Sequence, residues 1–434
     1  MTIDTRRPVS RRNFLKLAAG MGAWAAAPDA VTHPDFRRLG APRLAFAPPG
    51  VEPQGDILVA IFQRGGMDGL NAVIPHGDAD YYHLRSALAI PEPTSGSDTN
   101  GIDLDGFFGL HPALRPLKDL WDTKALAIVH AVGSPDPTHS HFDAMDYMER
   151  GTPGEKQIAT GWIGRHLQTA PWHNESPFRA IGMGGIMQAS LRGPVPVTTL
   201  KSIADFHLQG RTQDLARLQQ TLAALYSQGS SFDAAAATTF SATDLLAGID
   251  AAHYTPSGGA AYPDTEFGLA LKQVAQIAKA EIGLEIACID IGGWDTHNHE
   301  GGLDGELPTL LAELAGGLAA LYTDLGDLTK RVTIVTMSEF GRRAYENSSG
   351  GTDHGHGNVM FVAGGNVNGG KVYGDWPGLG KDKLYGTGDL AVTSDFRDIL
   401  GEIVRKRMGN SANLSQVFPD YAKWNMRGIV APRA

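Results

Sequence analysis

Asp56-Ile57-Leu58-Val59-Ala60-Ile61-Phe62, followed at once by Gln63-Arg64-Gly65-Gly66-Met67-Asp68-Gly69, is the stretch on which the fold turns. A short unbroken apolar run is what a strand buried on both faces looks like, and a polar, glycine-rich segment directly after it marks the end of that strand. The same pairing recurs along the chain. Leu126 to His130 leads into Ala131-Val132-Gly133-Ser134 and then Thr138-His139-Ser140-His141-Phe142-Asp143. Gly283 to Asp290 leads into Ile291-Gly292-Gly293-Trp294-Asp295-Thr296-His297-Asn298-His299. Val332 to Met337 leads into Ser338-Glu339-Phe340-Gly341-Arg342, and Val359 to Ala363 is a fifth apolar run. Helical patterns lie among them at Thr265 to Ala280, Leu303 to Leu328, and from a cap at Ser394-Asp395 through Arg405. Strands alternating with helices predict an α/β fold with a largely parallel central sheet and helices on both faces.

The segment from about 205 to 262 has helix-compatible stretches such as Leu215 to Tyr226, an alanine run at 234–237 and no convincing strand, and reads as a helical insertion on that sheet. Pro91 to Gly106 reads as a surface loop, and Gly364 to Gly370 as a turn, since it lacks the G-x-G-x-x-G order of a nucleotide fingerprint. Neither a G-x-S-x-G elbow nor an H-E-x-x-H string is present.

Charge and cysteine content remove several function classes. Lys and Arg number 37 against 47 Asp and Glu, a net charge of −10, so the chain has no footprint for a nucleic-acid backbone. The single cysteine, Cys288, excludes an intramolecular disulfide and any cysteine-rich metal cluster, so a metal has to be held by oxygen and nitrogen. Cys288 itself falls inside an expected buried strand and is a poor nucleophile. At the N-terminus, Ser10-Arg11-Arg12-Asn13-Phe14-Leu15-Lys16 and the weakly apolar stretch to Ala27 resemble a twin-arginine export signal, with cleavage after Ala27 or Ala47. Residues 1–47 are then signal and linker, and 48–434 one α/β domain that is periplasmic or extracellular. No later run is long and apolar enough for a membrane span.

In an open parallel sheet, ligands bind beyond the carboxyl ends of the strands. That is where the histidines fall: of 15, six form the pairs 139/141, 297/299 and 354/356. Residues two apart in extended backbone project to one side, so each pair can offer two imidazoles to one centre. With Asp68, Asp295, Glu339 and Asp353 the inventory suits one or two divalent ions, zinc, manganese or calcium. The plainer reading of any single pair is a hydrogen-bonded surface histidine; three pairs at strand ends favour the metal. Ser140 stands before an expected helix, where a serine is ordinarily an N-cap, but free backbone N–H groups there also bind anions and a neighbouring metal can activate the hydroxyl. Trp162, Trp172, Trp294 and Trp376 read as packing residues, Trp294 alternatively as a pocket wall.

Together, the export signal, Arg64-Gly65-Gly66-Met67-Asp68-Gly69-Leu70-Asn71, Ser140-His141-Phe142, Gly292-Gly293-Trp294-Asp295-Thr296-His297, Ser338-Glu339-Phe340-Gly341-Arg342 and Gly351-Thr352-Asp353-His354-Gly355 resemble the bacterial domain of unknown function 1501 family. That family is more remotely similar to the alkaline phosphatase and sulfatase superfamily. The resemblance implies an alkaline phosphatase-like sandwich with divalent metal at the strand ends. It places Asp68 as the first metal-binding Asp, Ser140 (Thr138 less well) as nucleophile, Asp295 as a central ligand with His299 or His297, and His354 as the late metal histidine. Ser338-Glu339 stands where Asp-His is usual, which unsettles the second metal, and no Cys-x-Pro-x-Arg or Ser-x-Pro-x-Arg string accompanies Ser140. The expected function is metal-dependent hydrolysis of small-molecule or glycan phosphate or sulfate esters. Ser140 would attack, and Arg64 or Arg342 would neutralise the non-bridging oxygens. The alternative is a cell-surface binding or assembly protein that keeps a structural metal.

Overall fold

A computed structural model describes residues 55–433, except 95, 172–173, 205–220, 222–238, 244, 247 and 252. The expected export signal, Trp172 and most of the expected insertion at 205–262 therefore lie outside the described residues.

The first apolar run is strand β1 (Ile57–Gln63), buried along its whole length. In chain order the other strands used here are β2 (Leu126–Gly133), β3 (Ala180–Met183), β4 (Thr198–Leu200), β5 (Ile286–Ile291), β6 (Val332–Ser338), β7 (Arg342–Glu346), β8 (Thr352–His354), β9 (Asn358–Ala363), β10 (Lys371–Tyr373) and β11 (Ser394–Asp395). Among the described residues the main sheet has nine strands, in the order β10-β2-β9-β6-β1-β5-β3-β4, with β11 also pairing β2. β1 lies at its middle, parallel to β5 on one side and to β6 on the other. Only β9 reverses, pairing antiparallel with both β2 and β6. The expected α/β class with a largely parallel sheet is what the chain forms, and all five expected strands are in it. β7 and β8 make a separate antiparallel hairpin in which Arg342 faces His354.

Alternate residues of β1 feed two cores, as a period of two requires. Ile57, Val59 and Ile61 pack with helices α3 (Glu266–Lys279) and α4 (Glu306–Leu325) on one face. Leu58, Ala60 and Phe62 pack with α2 (Trp162–Thr169) and α5 (Phe396–Lys406) on the other. Helix α1 (His141–Arg150) precedes these in the chain and follows β2. The cap anticipated at Ser394-Asp395 is formed, Asp395 accepting from the Arg397 N–H, and Thr265, where the other expected helix begins, accepts from the Gly268 N–H. The helix expected over 303–328 is shorter, because Gly305 and Gly326 take non-helical conformations at its ends and a 3₁₀ turn follows over 326–331. Trp294 is fully buried with its indole N–H on the Ile291 carbonyl, a core residue and not a pocket wall. Burial also pushes the Cys288 thiol far up, so it is inert.

The parallel strands β1, β2, β5 and β6 all end at one edge of the sheet. Antiparallel β9 begins there, so the hairpin before it is delivered to the same place.

Candidate metal centre

At that edge the backbones after β1 and β5 touch. Gly65 has φ +127°, and a Cβ on it would lie 2.4 Å from the Asp295 amide nitrogen, so only glycine allows the approach. Arg342, fully buried, pins the contact: its guanidinium donates to the carbonyls of Gly65, Gly66, Trp294 and Thr352 and to Asp295 Oδ1 at 2.8 Å. Across the other seam, Ser338 Oγ donates to the Gln63 carbonyl at 2.6 Å and accepts from Met67 N–H.

Three imidazoles converge on the carboxylate so fixed. Nε2 of His297 and of His354 each lie 3.2 Å from Asp295 Oδ1, and Nε2 of His141 lies 3.4 Å from it. The opposite nitrogen of each ring is engaged: His141 Nδ1 with Glu339 Oε1 at 2.8 Å, His297 Nδ1 with Asp353 Oδ1 at 3.1 Å, and His354 Nδ1 with the His139 carbonyl at 2.9 Å. Carboxylates and carbonyls only accept, so each neutral ring carries its proton on Nδ1 and turns the Nε2 lone pair inward. Nε2 of His297 and His354 are then 2.9 Å apart, lone pair to lone pair. His141 Nε2 is buried and has no hydrogen-bond partner among the described residues. Three lone pairs and a carboxylate oxygen in one small volume are mutually repulsive without a cation, and the carboxylate–histidine pattern is the one that orients metal ligands. Among the described residues, His141, Asp295 and His354 offer ligand atoms within 4.8 Å of one another, and His297 adds its Nε2 at 3.2 Å from Asp295 Oδ1. The donor set fits a divalent ion.

The electrostatics agree. Burial disfavours ionisation of Asp295, but the hydrogen bond from Arg342 and the charge of that guanidinium prevail and hold its pKa at about 2. Burial lowers that of His354, keeping its nitrogen free. At His141 alone the balance runs the other way: the hydrogen bond to Glu339 raises its pKa, so an ion there has to displace a proton held more firmly than usual. Phe340 walls the cluster, its ring centroid 4.9 Å from that of His141 and 4.8 Å from that of His354.

The expected site residues divide. Asp295, His297 and His354 meet. Glu339 and Asp353 do not face inward as ligands; each orients a histidine. His299 is exposed, and its left-handed φ of 53° turns it out of the extended backbone the His-x-His argument assumed. The other two pairs likewise supply one ring each: His139 binds Asp389 Oδ2 at 3.0 Å, and His356 stacks on Tyr385 at 4.8 Å. Sequence reasoning did not assign His141 as a ligand, although its membership of a pair at a strand end was a usable signal.

Asp68 departs furthest. It is fully buried, and both of its oxygens are held by the equally buried guanidinium of Arg85, which also donates to the carbonyls of Arg343 and Ala344. A cation already occupies the position for which Asp68 was expected to hold a metal. The arginines expected to bind substrate oxygens are also committed. Arg64 lies between Glu149 at 3.1 Å and Asp290 at 2.9 Å, and Arg342 is spent on the contacts above. Ser140 does stand at the N-terminus of α1, exposed, and its side chain makes no capping hydrogen bond.

Residues 122–416 match the model of a family described as "Protein of unknown function (DUF1501)". The chain belongs to that family. No curated protein matches this DUF1501 chain. Among solved structures it is similar to the C-terminal periplasmic domain of EcEptC from Escherichia coli in complex with zinc, at 10% identity and a TM-score of 0.37, covering 91% of this chain and 96% of that one. It is also similar to the lipoteichoic acid synthase LtaP from Listeria monocytogenes, at 8% identity and TM-score 0.32, covering 71% and 65% of the two chains. The 2-O GAG sulfatase BT1596 is a third, at 8% identity and TM-score 0.35, covering 74% and 66%.

Proposed function

We propose that this DUF1501 protein is a hydrolase of phosphate or sulfate esters that works with a single divalent ion, held by His141, Asp295, His297 and His354. The observation that carries the reading is the inward convergence of three Nε2 lone pairs on Asp295 Oδ1. Three nitrogens and one oxygen suit zinc or manganese; calcium, which takes 6–8 oxygen ligands, does not fit, so it leaves the list of expected ions. One ion rather than two follows from Arg85 occupying Asp68. Such an ion lowers the pKa of a hydroxyl beside it and offsets charge on the transferred group.

The chain supplies the rest. Ser140 is the nucleophile: its hydroxyl is uncapped, and its neighbours on both sides serve the cluster, His139 by its carbonyl and His141 by its ring. With Arg64 and Arg342 engaged elsewhere, the free N–H groups of the first turn of α1 take the non-bridging oxygens. Glu339, Asp353 and the His139 carbonyl position the imidazoles. The twin-arginine sequence at Ser10–Lys16 supports action outside the cytoplasm.

A binding or assembly role with a structural metal draws on one observation, the internal commitment of both arginines. Elemental analysis and an ester screen decide between the two. The purified chain should carry about one zinc or manganese, and Asp295→Ala should lose both the ion and turnover. Ser140→Ala should keep the ion and the fold, because no cap is lost, yet lose turnover. A chain free of metal overturns the proposal. Bound metal with no ester turned over, and unfolding on chelation, supports the structural role instead.

A further inference from the structure

Two apolar side chains stand almost wholly in water. Phe142 is 86% exposed and Ile186 83%, whereas the next large apolar side chain among the described residues, Leu269, is 49% exposed. Single exposed apolar residues are ordinary on a protein surface, but these two extremes fall at one edge of the sheet, and it is the edge of the metal centre. Phe142 is the second residue of α1, directly after His141 and about 3 Å along the helix axis from the N-cap Ser140. Ile186 is the third residue after β3, which runs parallel to β5 and so ends at the edge that carries Asp295.

The elements that carry them face each other. Phe142, Met145 and Glu149 are spaced three and four apart and so share one face of α1. At the far end of that face Glu149 Oε1 accepts from the Ser190 N–H at 3.3 Å, which ties the helix to the loop after β3. In the middle, Met145 Sδ lies 3.4 Å from Arg64 Nη1, and the Arg64 guanidinium rests over the Phe62 ring, 4.5 Å from its centroid. Met187, next to Ile186, is half-buried against the same core as Met145. A Cβ on Gly184, Gly185 or Gly292 would meet nothing within 4 Å, so the backbone leaving β3 and β5 keeps this side of the edge open. A ring, a thioether and a guanidinium plane each gain from an aromatic partner beyond the area covered. Two side chains fall far short of the roughly 800 Å² per partner that a stable dimer buries. The net charge of −10, with Asp143 and Asp146 in the same helix, disfavours an anionic bilayer. What is left within reach of Phe142 is whatever Ser140 and the metal centre bind.

We infer that Phe142 and Ile186 are specificity residues that clasp an apolar, ring-bearing alcohol half of the ester, so that the site prefers such substrates over small or sugar-like ones. The inference rests on the ester reading for its role, but the clasp is testable without turnover. The zinc-loaded full chain is titrated with phenylphosphonate and methylphosphonate, neither of which can be hydrolysed, with binding followed by ligand-observed NMR. Phenylphosphonate should bind about tenfold or more tightly. Phe142→Ala and Ile186→Ala should each cut that advantage several-fold while metal content and the unfolding midpoint stay as in the parent, since both side chains are exposed; Phe142→Trp should keep it. Equal affinity for the two probes, or variants that weaken both alike, overturns the clasp. Binding to phosphatidylglycerol vesicles, or self-association of the chain, that disappears in Phe142→Ala while the phosphonates show no preference gives the pair to a bilayer or a second copy and overturns it too. A phenyl preference with no turnover of phenyl phosphate upholds the clasp and counts against the ester reading; turnover of phenyl and methyl phosphate with no preference in binding does the reverse.

Discussion

Asp68 and Asp295 follow neighbouring parallel strands and both look like metal ligands in the sequence, yet their surroundings differ in kind. Around Asp68 the charges are closed on themselves. Arg85 grips both oxygens, and the buried Glu300 adds a second carboxyl whose Oε2 accepts from Thr352 Oγ1. Around Asp295 acceptors outnumber donors, the side chain is half exposed, and Arg342 is the one guanidinium among the described residues that donates to it. A buried carboxylate with its own counter-cation stabilises a loop; a partly open one crowded by imidazoles has the donor set that the proposed ion needs.

The largest test of that contrast is Arg85→Ala. It leaves Asp68 charged and unpaired in the interior and should cost about 3–5 kcal/mol of stability in denaturant unfolding, while metal content stays near one per chain if the protein is recovered folded. If the variant were as stable as the parent, the closed-cluster description would be wrong. Glu339→Gln comes next. It keeps an acceptor for the Gly65 N–H, which Glu339 Oε1 holds at 2.8 Å, but removes the charge behind His141. Metal affinity should fall about 10–100-fold in competition with a chelator, with little change in the stability of the metal-free chain.

The smallest effect is a slope against pH. Burial, together with the Asp68 charge, raises the pKa of Glu300 well above its ordinary value of 4.5. A carboxyl that keeps its proton when folded and loses it when unfolded stabilises the fold fully below the unfolded value. That contribution drains away as pH climbs from there through the folded pKa. The slope is at most about 1.4 kcal/mol per pH unit. Unfolding measured across that window should show the decline in the parent and lose it in Glu300→Gln; identical profiles would remove Glu300 from the account.

Much of this was readable in the residues. The five apolar runs formed strands because continuous burial on both faces leaves no room for polar alternation, and Thr265 and Asp395 capped helices as their side chains allow. β3, β4 and β10 escaped notice because they are three or four residues long and broken by Gly182 or by Thr198-Thr199. Asp295, His297 and His354 were legible as a set. His299 was not separable from His297, since that depends on one residue's φ. Arg85 gave no signal at all: an arginine after Tyr81-Tyr82-His83-Leu84 looks like a surface residue until the fold buries it against Asp68.

The reversed strand β9 carries one last implication, for timing during synthesis. β2 emerges more than two hundred residues before β9, the strand that joins it to β6, and His354 arrives just ahead of β9. Until the ribosome has passed that point, β2 has no strand to join it to β6 and the proposed metal centre has one imidazole fewer. The last quarter of the polypeptide closes both at once, so a translation product cut short before residue 354 should neither unite the sheet nor assemble the centre.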